Sequence, residues 1–416
     1  MSSIARQTQA EAPTSLTRHA AHACVLLWLV VVLGLGGCAS IDVRRGIDDA
    51  TLAERATVPG LPGARFWGDE VPKDLMAEVR RRLPNLPQLG RSANRVNGRP
   101  VIEMLALSGG GRDGAFGAGL LAGWSARGDR PEFEVVTGIS AGAIIAPFAF
   151  LGPNYDDELK EVWTAYRTSQ LVVAQIVPGL LGGSALADTA PLAQLMERYI
   201  DRTMMRRIAR AYARGRILLI GTTNLDAQRP VVWNMGEIAA SRHPEAIDLF
   251  RKVILASAAI PGAFPPVKIP VEVDGRRYDE LHVDGGTTRE VFVSPVQVPF
   301  TFFDALYDRP PIRRIYVIKN GKVTPETNVV QAQTLSIAAR AIDTLLKSQS
   351  QGDVYRIWRE ALDAGATFKF AAVPADFNGV SNEFFDPPYQ RALFDEGFRV
   401  GRAAAWSDKP PTAHEN

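Results

Sequence analysis

The chain has 416 residues, 46% of them hydrophobic and 22% charged, which is the composition of a globular protein and excludes a disordered or fibrous one. Its length suits one large domain or two ordinary ones with a substantial buried core. Lys and Arg number 47 against 45 Asp and Glu, a net +2, and so even a balance excludes a broad basic face for nucleic acid.

Arg6 and Arg18 precede an apolar run at 25–35 (VLLWLVVVLGL), which ends in Leu35-Gly36-Gly37-Cys38. The run is short for a membrane span of about 20 residues. Basic residues, a short apolar run and then small residues make the pattern of a secretory signal. The ending resembles the bacterial lipobox, in which the cysteine is lipidated and becomes the new N-terminus. A plain signal or a buried anchor helix would carry a similar run. Cys24 and Cys38 are the only cysteines. Cleavage before Cys38 removes Cys24, which leaves no thiol for a disulfide or a metal once Cys38 carries lipid. Ala39 and Ser40 follow, without the aspartate that retains many such lipoproteins at the inner membrane. The expectation is an exported, lipid-anchored protein in the cell envelope, facing the periplasm from the outer membrane.

Residues 38–100 read as a tether and lead-in, punctuated by Pro59-Gly60 and Pro62-Gly63, with a short helix at 73–83. From 101 the pattern becomes strand, turn, helix. Residues 101–107 read as a buried strand ending in Ser108-Gly109-Gly110-Gly111, and 113–127 as a helix of small residues. Residues 133–137 read as a second strand, followed by Gly138-Ile139-Ser140-Ala141-Gly142 and a helix to about 150. Helical patterns follow at 156–168 and 190–200. The apolar, Gly-rich stretch between them, 171–186, reads equally as an acyl-pocket wall or lid and as a core segment. Further strands are expected at 217–222, 267–273, 277–283 and 315–320. Helices are expected at 252–259, 331–350, 352–364 and 389–404, before a loose tail. Alternating strands and helices imply an α/β fold, a mainly parallel sheet covered by helices. The domain reading is a signal at 1–37, the lead-in, a catalytic domain at 101–330, C-terminal helices packed on it at 331–405, and the tail.

Gly138-x-Ser140-x-Gly142, between a strand and a helix, is the nucleophile-elbow pattern. Glycines permit the tight turn, and the serine oxygen stands at a helix N-terminus that favours developing negative charge. Gly109-Gly110-Gly111-Arg112-Asp113-Gly114 has several readings. As G-x-G-x-x-G it matches a dinucleotide turn, but the next strand runs into the serine elbow and offers no acidic residue. As an oxyanion hole its successive backbone N–H groups stabilise a developing oxyanion by roughly 3 kcal/mol per donor. A merely structural Gly-rich turn is the third reading.

The histidines are His19, His22, His243, His282 and His414, and none completes a convincing Ser-His-Asp triad by order and position. Val283-Asp284-Gly285-Gly286 offers a strand ending in a carboxylate on a glycine turn. Asp284 and His282, on one strand face two residues apart, remain the candidate bases.

Gly109-Gly110-Gly111 opening a helix, Gly138-Ile139-Ser140-Ala141-Gly142, and Asp284-Gly285-Gly286, in that order, resemble the patatin-like phospholipase family, as does the stretch ASAAIPGAFPP from Ala256 to Pro266. The resemblance covers about 101–320. It implies a three-layer α/β/α fold with Ser140 as nucleophile and Asp284 as base, in a dyad without histidine. The backbone of Gly109, Gly110, Gly111 and Arg112 would form the oxyanion hole, with Gly138 and Gly142 shaping the elbow. It further implies hydrolysis of phospholipid or other lipid esters without metal or organic cofactor. The alternatives are acyl transfer through the same acyl-enzyme and a lipid-binding or scaffolding protein without turnover. One departure is that Arg112 stands one position before the place where the family carries its basic residue, now Asp113. Neither oligomeric state nor head group is readable.

Overall fold

The structure, a computed structural model, describes residues 44–71, 74–175, 183–294 and 298–410. The proposed signal, Cys38, the centre of the 171–186 stretch and the end of the tail lie outside them. The described residues from Gly46 onward form one compact unit.

Five parallel strands make its centre. In spatial order they are β9 (Thr367–Val373), β8 (Ile312–Lys322), β2 (Arg99–Leu107), β3 (Val135–Gly138) and β4 (Ile217–Asn224). Beyond β4 the sheet continues antiparallel through β5 (Arg229–Asn234) to β1 (Arg65–Trp67). The hairpin of β6 (Val267–Val273) and β7 (Arg276–Asp284) joins by pairing β7 with β4. The central strands are buried on both faces, which is why β3 and β4 read as continuous apolar runs rather than alternating ones.

The register sets up the site. Leu107 pairs with Gly138 and with Ile318, and Gly138 with Ile220, so β2 and β3 end level while β4 and β8 run on beyond them at the same edge. β3 stops at Gly138, and from Thr222 onward β7 pairs antiparallel with β4, matching Asp284 to Thr222. One edge of β4 is therefore shared, β3 below and β7 above. The turn leaving β3 and the end of β7 are forced together.

Leu105, Leu107, Val136, Leu218 and Ile220 face a layer that includes α1 (Gly114–Arg127), α2 (Ala141–Leu151), α3 (Asp156–Thr164), α4 (Arg202–Ala213) and α5 (Ala246–Ser257). On the opposite face Ala106, Ile315 and Val317 pack under the C-terminal half of α6 (Thr334–Asp363). Beside them Ile102, Val135, Ile217 and Leu219 pack with residues of the lead-in. An apolar cavity of about 140 Å³ remains there, lined by Val79, Leu86, Leu89, Ile102 and Phe303 among others, and neither Ser140 nor Asp284 reaches it. The small residues of α1 have a packing reason. Gly119 and Gly123 lie against the backbone of Phe394 and Phe398 in α7 (Pro387–Ala403), and Gly397 and Gly401 of α7 lie against the backbone of α1. No Cβ fits at these crossings.

Several elements differ from expectation. The lead-in is more than a tether, because β1 is a strand of the main sheet and Leu86 and Leu89 are buried in it. The helices expected at 331–350 and 352–364 are a single helix, since Gly352 costs only about 1 kcal/mol within so long a run. The C-terminal region also adds a strand, β9. The helix α4 carries Arg202, Arg206, Arg207 and Arg210, which mask the buried stripe of Met204, Met205, Ile208 and Ala211.

Candidate active site

β3 ends at Gly138, and the chain turns through Ile139 and Ser140 into α2. Ser140 has φ 51° and ψ −120°, in the left-handed half of backbone space that side chains normally avoid. Such strain costs about 1–3 kcal/mol and persists only where the surroundings over-determine it. Here they do. A Cβ at Gly138 would strike the carbonyl of Gly142, and one at Gly142 would strike that of Leu107. The Ile139 N–H donates to Leu107 (3.2 Å) and the Gly142 N–H to Ile139 (2.7 Å). The Ser140 N–H donates to Ser257 Oγ (2.9 Å), whose hydroxyl donates to the Gly221 carbonyl (2.6 Å). Ser140 is only 5% exposed, at the N-terminus of α2.

Asp284 ends β7 and faces this serine. Its N–H donates to the Ala259 carbonyl (2.9 Å), and its Oδ1 accepts from the Gly286 N–H (2.8 Å). Burial pushes the carboxyl up to about 7, against the opposing pull of hydrogen bonds from Ser140 and Gly286. A Cβ at Gly285 would meet the Gly221 carbonyl and Ile139, so the glycine lets the base turn approach the elbow.

His282 is fully buried and its ring is spent elsewhere. Nδ1 lies 2.9 Å from Thr222 Oγ1 and Nε2 lies 3.0 Å from Glu280 Oε2. Glu280 in turn pairs with Arg65, and Trp233 packs edge-on to the imidazole. Burial lowers the His282 pKa despite Glu280. His243 packs against Gly60 in the lead-in, and His19, His22 and His414 lie outside the described residues.

The glycine turn follows β2. Gly110 (φ 150°) and Gly111 (φ 55°) adopt conformations that favour glycine, and a Cβ at Gly110 would overlap the Asn320 carbonyl. Buried Asn320 braces the turn. Its N–H donates to Ser108 Oγ (2.9 Å), its amide to the Ser108 carbonyl (2.8 Å), and its Oδ1 accepts from Gly117 N–H (3.1 Å). The Gly109 N–H already donates to the Glu290 carbonyl (3.1 Å), which removes it from the expected donors. Among the described hydrogen bonds, the N–H groups of Gly110, Gly111 and Arg112 have no protein acceptor. The Arg112 side chain lies over the Tyr389 ring (5.8 Å), and Asp113 accepts from Tyr389 Oη (2.8 Å), with its pKa raised to about 6 by burial. Asp113 thus fastens α7 to the turn rather than serving as a cation.

A small apolar cavity of about 40 Å³ begins one turn along α2 from Ser140, lined by Ile144, Phe148, Leu171, Leu192, Met196 and Phe385 among others. Phe384, beside Phe385, lies against Gly111. Leu171, at the start of the stretch read equally as an acyl-pocket wall or lid and as a core segment, lines this cavity. Ser257 and Asn320 were not legible as site residues. Ser257 stands within the ASAAIPGAFPP stretch, its only sequence signal, and Asn320 has none beyond closing a buried strand.

The Ser140 turn, the buried Asp284 turn and the glycine turn thus meet at the carboxyl edge of a mainly parallel sheet. Residues 105–296 match the family model described as patatin-like phospholipase. No curated protein matches. Among solved structures, that of VipD from Legionella pneumophila is similar at 10% identity and a TM-score of 0.36, covering 73% of this chain. The chain spans 66% of that protein's length.

Proposed function

We propose that the protein is a lipid-anchored serine hydrolase of lipid esters that works through a Ser140–Asp284 dyad. The observation that carries this reading is the strained Ser140 facing a buried carboxyl, while among the described residues His282 is held by Thr222 and Glu280 and His243 packs against the lead-in.

Asp284 takes the hydroxyl proton as Ser140 Oγ attacks the ester carbonyl. Negative charge forms on the carbonyl oxygen, toward which the N–H groups of Gly110, Gly111 and Arg112 donate. Collapse expels the alcohol, which receives the proton from Asp284, and leaves an acyl-Ser140 ester. Water then attacks the acyl carbon while Asp284 accepts its proton, and a second collapse frees the acid and returns the proton to Ser140. The acyl chain lies in the apolar cavity beside Ile144 and Leu171. Lipidation of Cys38, supported by the LGGC ending, holds the enzyme at the membrane that supplies the substrate.

A fluorophosphonate probe tests the reading. It should label the wild type at Ser140 and fail on Ser140→Ala, and wild type alone should release fatty acid from phospholipid or neutral-ester vesicles. Labelling that survives Ser140→Ala, or a wild type inert to probe and esters alike, would sink it.

A further inference from the structure

A second buried carboxyl lies beside the site and takes no part in the scheme above. Glu290 follows the base turn and is 5% exposed. Its backbone is fixed from two sides. The carbonyl accepts from Gly109 N–H (3.1 Å), and its N–H donates to Asp353 Oδ2 (2.9 Å) on α6. Its carboxyl fills the gap between the two catalytic turns. A Cβ at Gly109 would meet Oε1 at 2.6 Å and Oε2 at 2.8 Å, and a Cβ at Gly286 would run into the same Oε2 and lie 3.1 Å from Asp284 Oδ1. Glycine at both positions makes room for this one side chain.

We propose that Glu290 is a positioning residue that locks the base turn to the oxyanion turn, and that its ionisation sets the alkaline limit of the reaction. This rests on the hydrolase reading. The charged groups acting on Glu290 are Lys319 from β8, Asp284 from its own segment, and Asp343 and Asp353 from α6. Lys319 donates to Ser350 Oγ (2.7 Å), so its ammonium is held by α6. Burial is the largest influence and pushes the Glu290 carboxyl up to about 8, with Lys319 opposing and the three aspartates adding to the rise. Near neutrality, then, Asp284 ionises while Glu290 keeps its proton, and the pair carries one negative charge. At higher pH a second charge forms against Gly109, next to the place where the oxyanion must develop. Neighbouring like charges oppose each other strongly in a dry site, and Asp284 already acts on Glu290 in this way.

The test is kcat/KM on a soluble short-chain nitrophenyl ester from pH 5.5 to 9.5, for wild type and Glu290→Gln. Gln keeps the shape and removes the charge. Wild type should fall about tenfold from its optimum by the alkaline end, while the variant stays level there. Superimposable alkaline limbs overturn the inference. A melting series gives a second readout that needs no turnover. The acid's raised pKa gives stability that is present below its unfolded value and lost as pH rises through the folded one. Glu290→Gln should therefore gain melting temperature relative to wild type between pH 5 and 9, and a constant difference across that range also overturns the inference. A wild type inert toward esters and probe would instead fail the hydrolase reading, and the melting series would still judge Glu290's ionisation.

Discussion

The hydroxyl of Ser257 holds the backbone of Ser140, accepting its N–H at 2.9 Å while donating to Gly221 on the neighbouring strand at 2.6 Å. The unusual φ of Ser140 is thus fixed through a side chain far along the sequence. Ser257→Ala removes the acceptor from a buried N–H and frees the elbow to relax. A cost of about 1–3 kcal/mol in stability is expected. Turnover should fall further than that implies, with kcat reduced more than KM is raised. Unchanged kcat on a short-chain ester would refute the role.

Asp284→Asn and His282→Ala separate the two carboxyl-edge candidates. Loss of a positioned general base costs on the order of 10²–10⁴ in rate. Asp284→Asn should show that loss, and His282→Ala should keep substantial kcat while melting earlier, because Thr222 and Glu280 lose a buried partner. A dead His282→Ala beside an active Asp284→Asn, both folded by circular dichroism, would restore histidine as the base.

The carboxyl of Asp284 must be ionised to accept a proton, and its pKa is raised to about 7. Activity should therefore rise with pH through about 7. Stability runs the other way. The native state binds the proton more tightly than the unfolded chain does, so Asp284's contribution is full below its ordinary value near 4 and is lost as pH climbs through 7. Asp284→Asn should melt higher than wild type at pH 8, by as much as about 4 kcal/mol, and lose that advantage at pH 4. Equal melting temperatures at pH 8 would contradict the buried, strained charge.

Gly397 lies so close to the backbone of Phe116 and Leu120 that no Cβ fits. Gly397→Val should destabilise by more than about 3 kcal/mol through forced separation of α1 and α7. Gly128→Ala serves as a reference, since open space surrounds Gly128, although its φ of 94° adds strain of its own. Chemical denaturation of the two variants decides the matter, and an equal cost would show that the crossing tolerates spreading.

Cys38→Ser should give an uncleaved or soluble form, seen by detergent partitioning and by the mass of the mature chain. Several acyl chains anchor firmly where one anchors only marginally. Unchanged partitioning and mass would exclude lipidation at Cys38.

Much of the site could be read in the sequence because its parts are local. The elbow needs glycines flanking Ser140, and the base turn needs them after Asp284, so short motifs announce both. What escaped notice was everything that works across distance. Ser257 and Asn320 act through hydrogen bonds to partners in other strands, and a lone Ser or Asn carries no sign of that. The Gly109 N–H differs from expectation for the same reason, because its acceptor is the distant carbonyl of Glu290. The strand β9 was hidden between a long helix and a stretch rich in turn residues, and β1 by a lead-in rich in turn residues. Both gain their stability from a sheet edge supplied by distant chain.

The helix α7 has a consequence for how the enzyme comes into being. It lies far along the chain from α1, yet it backs α1 and reaches the glycine turn through Tyr389 and Asp113. Contacts between such distant stretches form late, after the loop between them has closed. An unfinished chain that already contains Ser140 and Asp284 still lacks the wall behind its glycine turn. The glycine turn is therefore complete only once α7 has been made and has docked on α1.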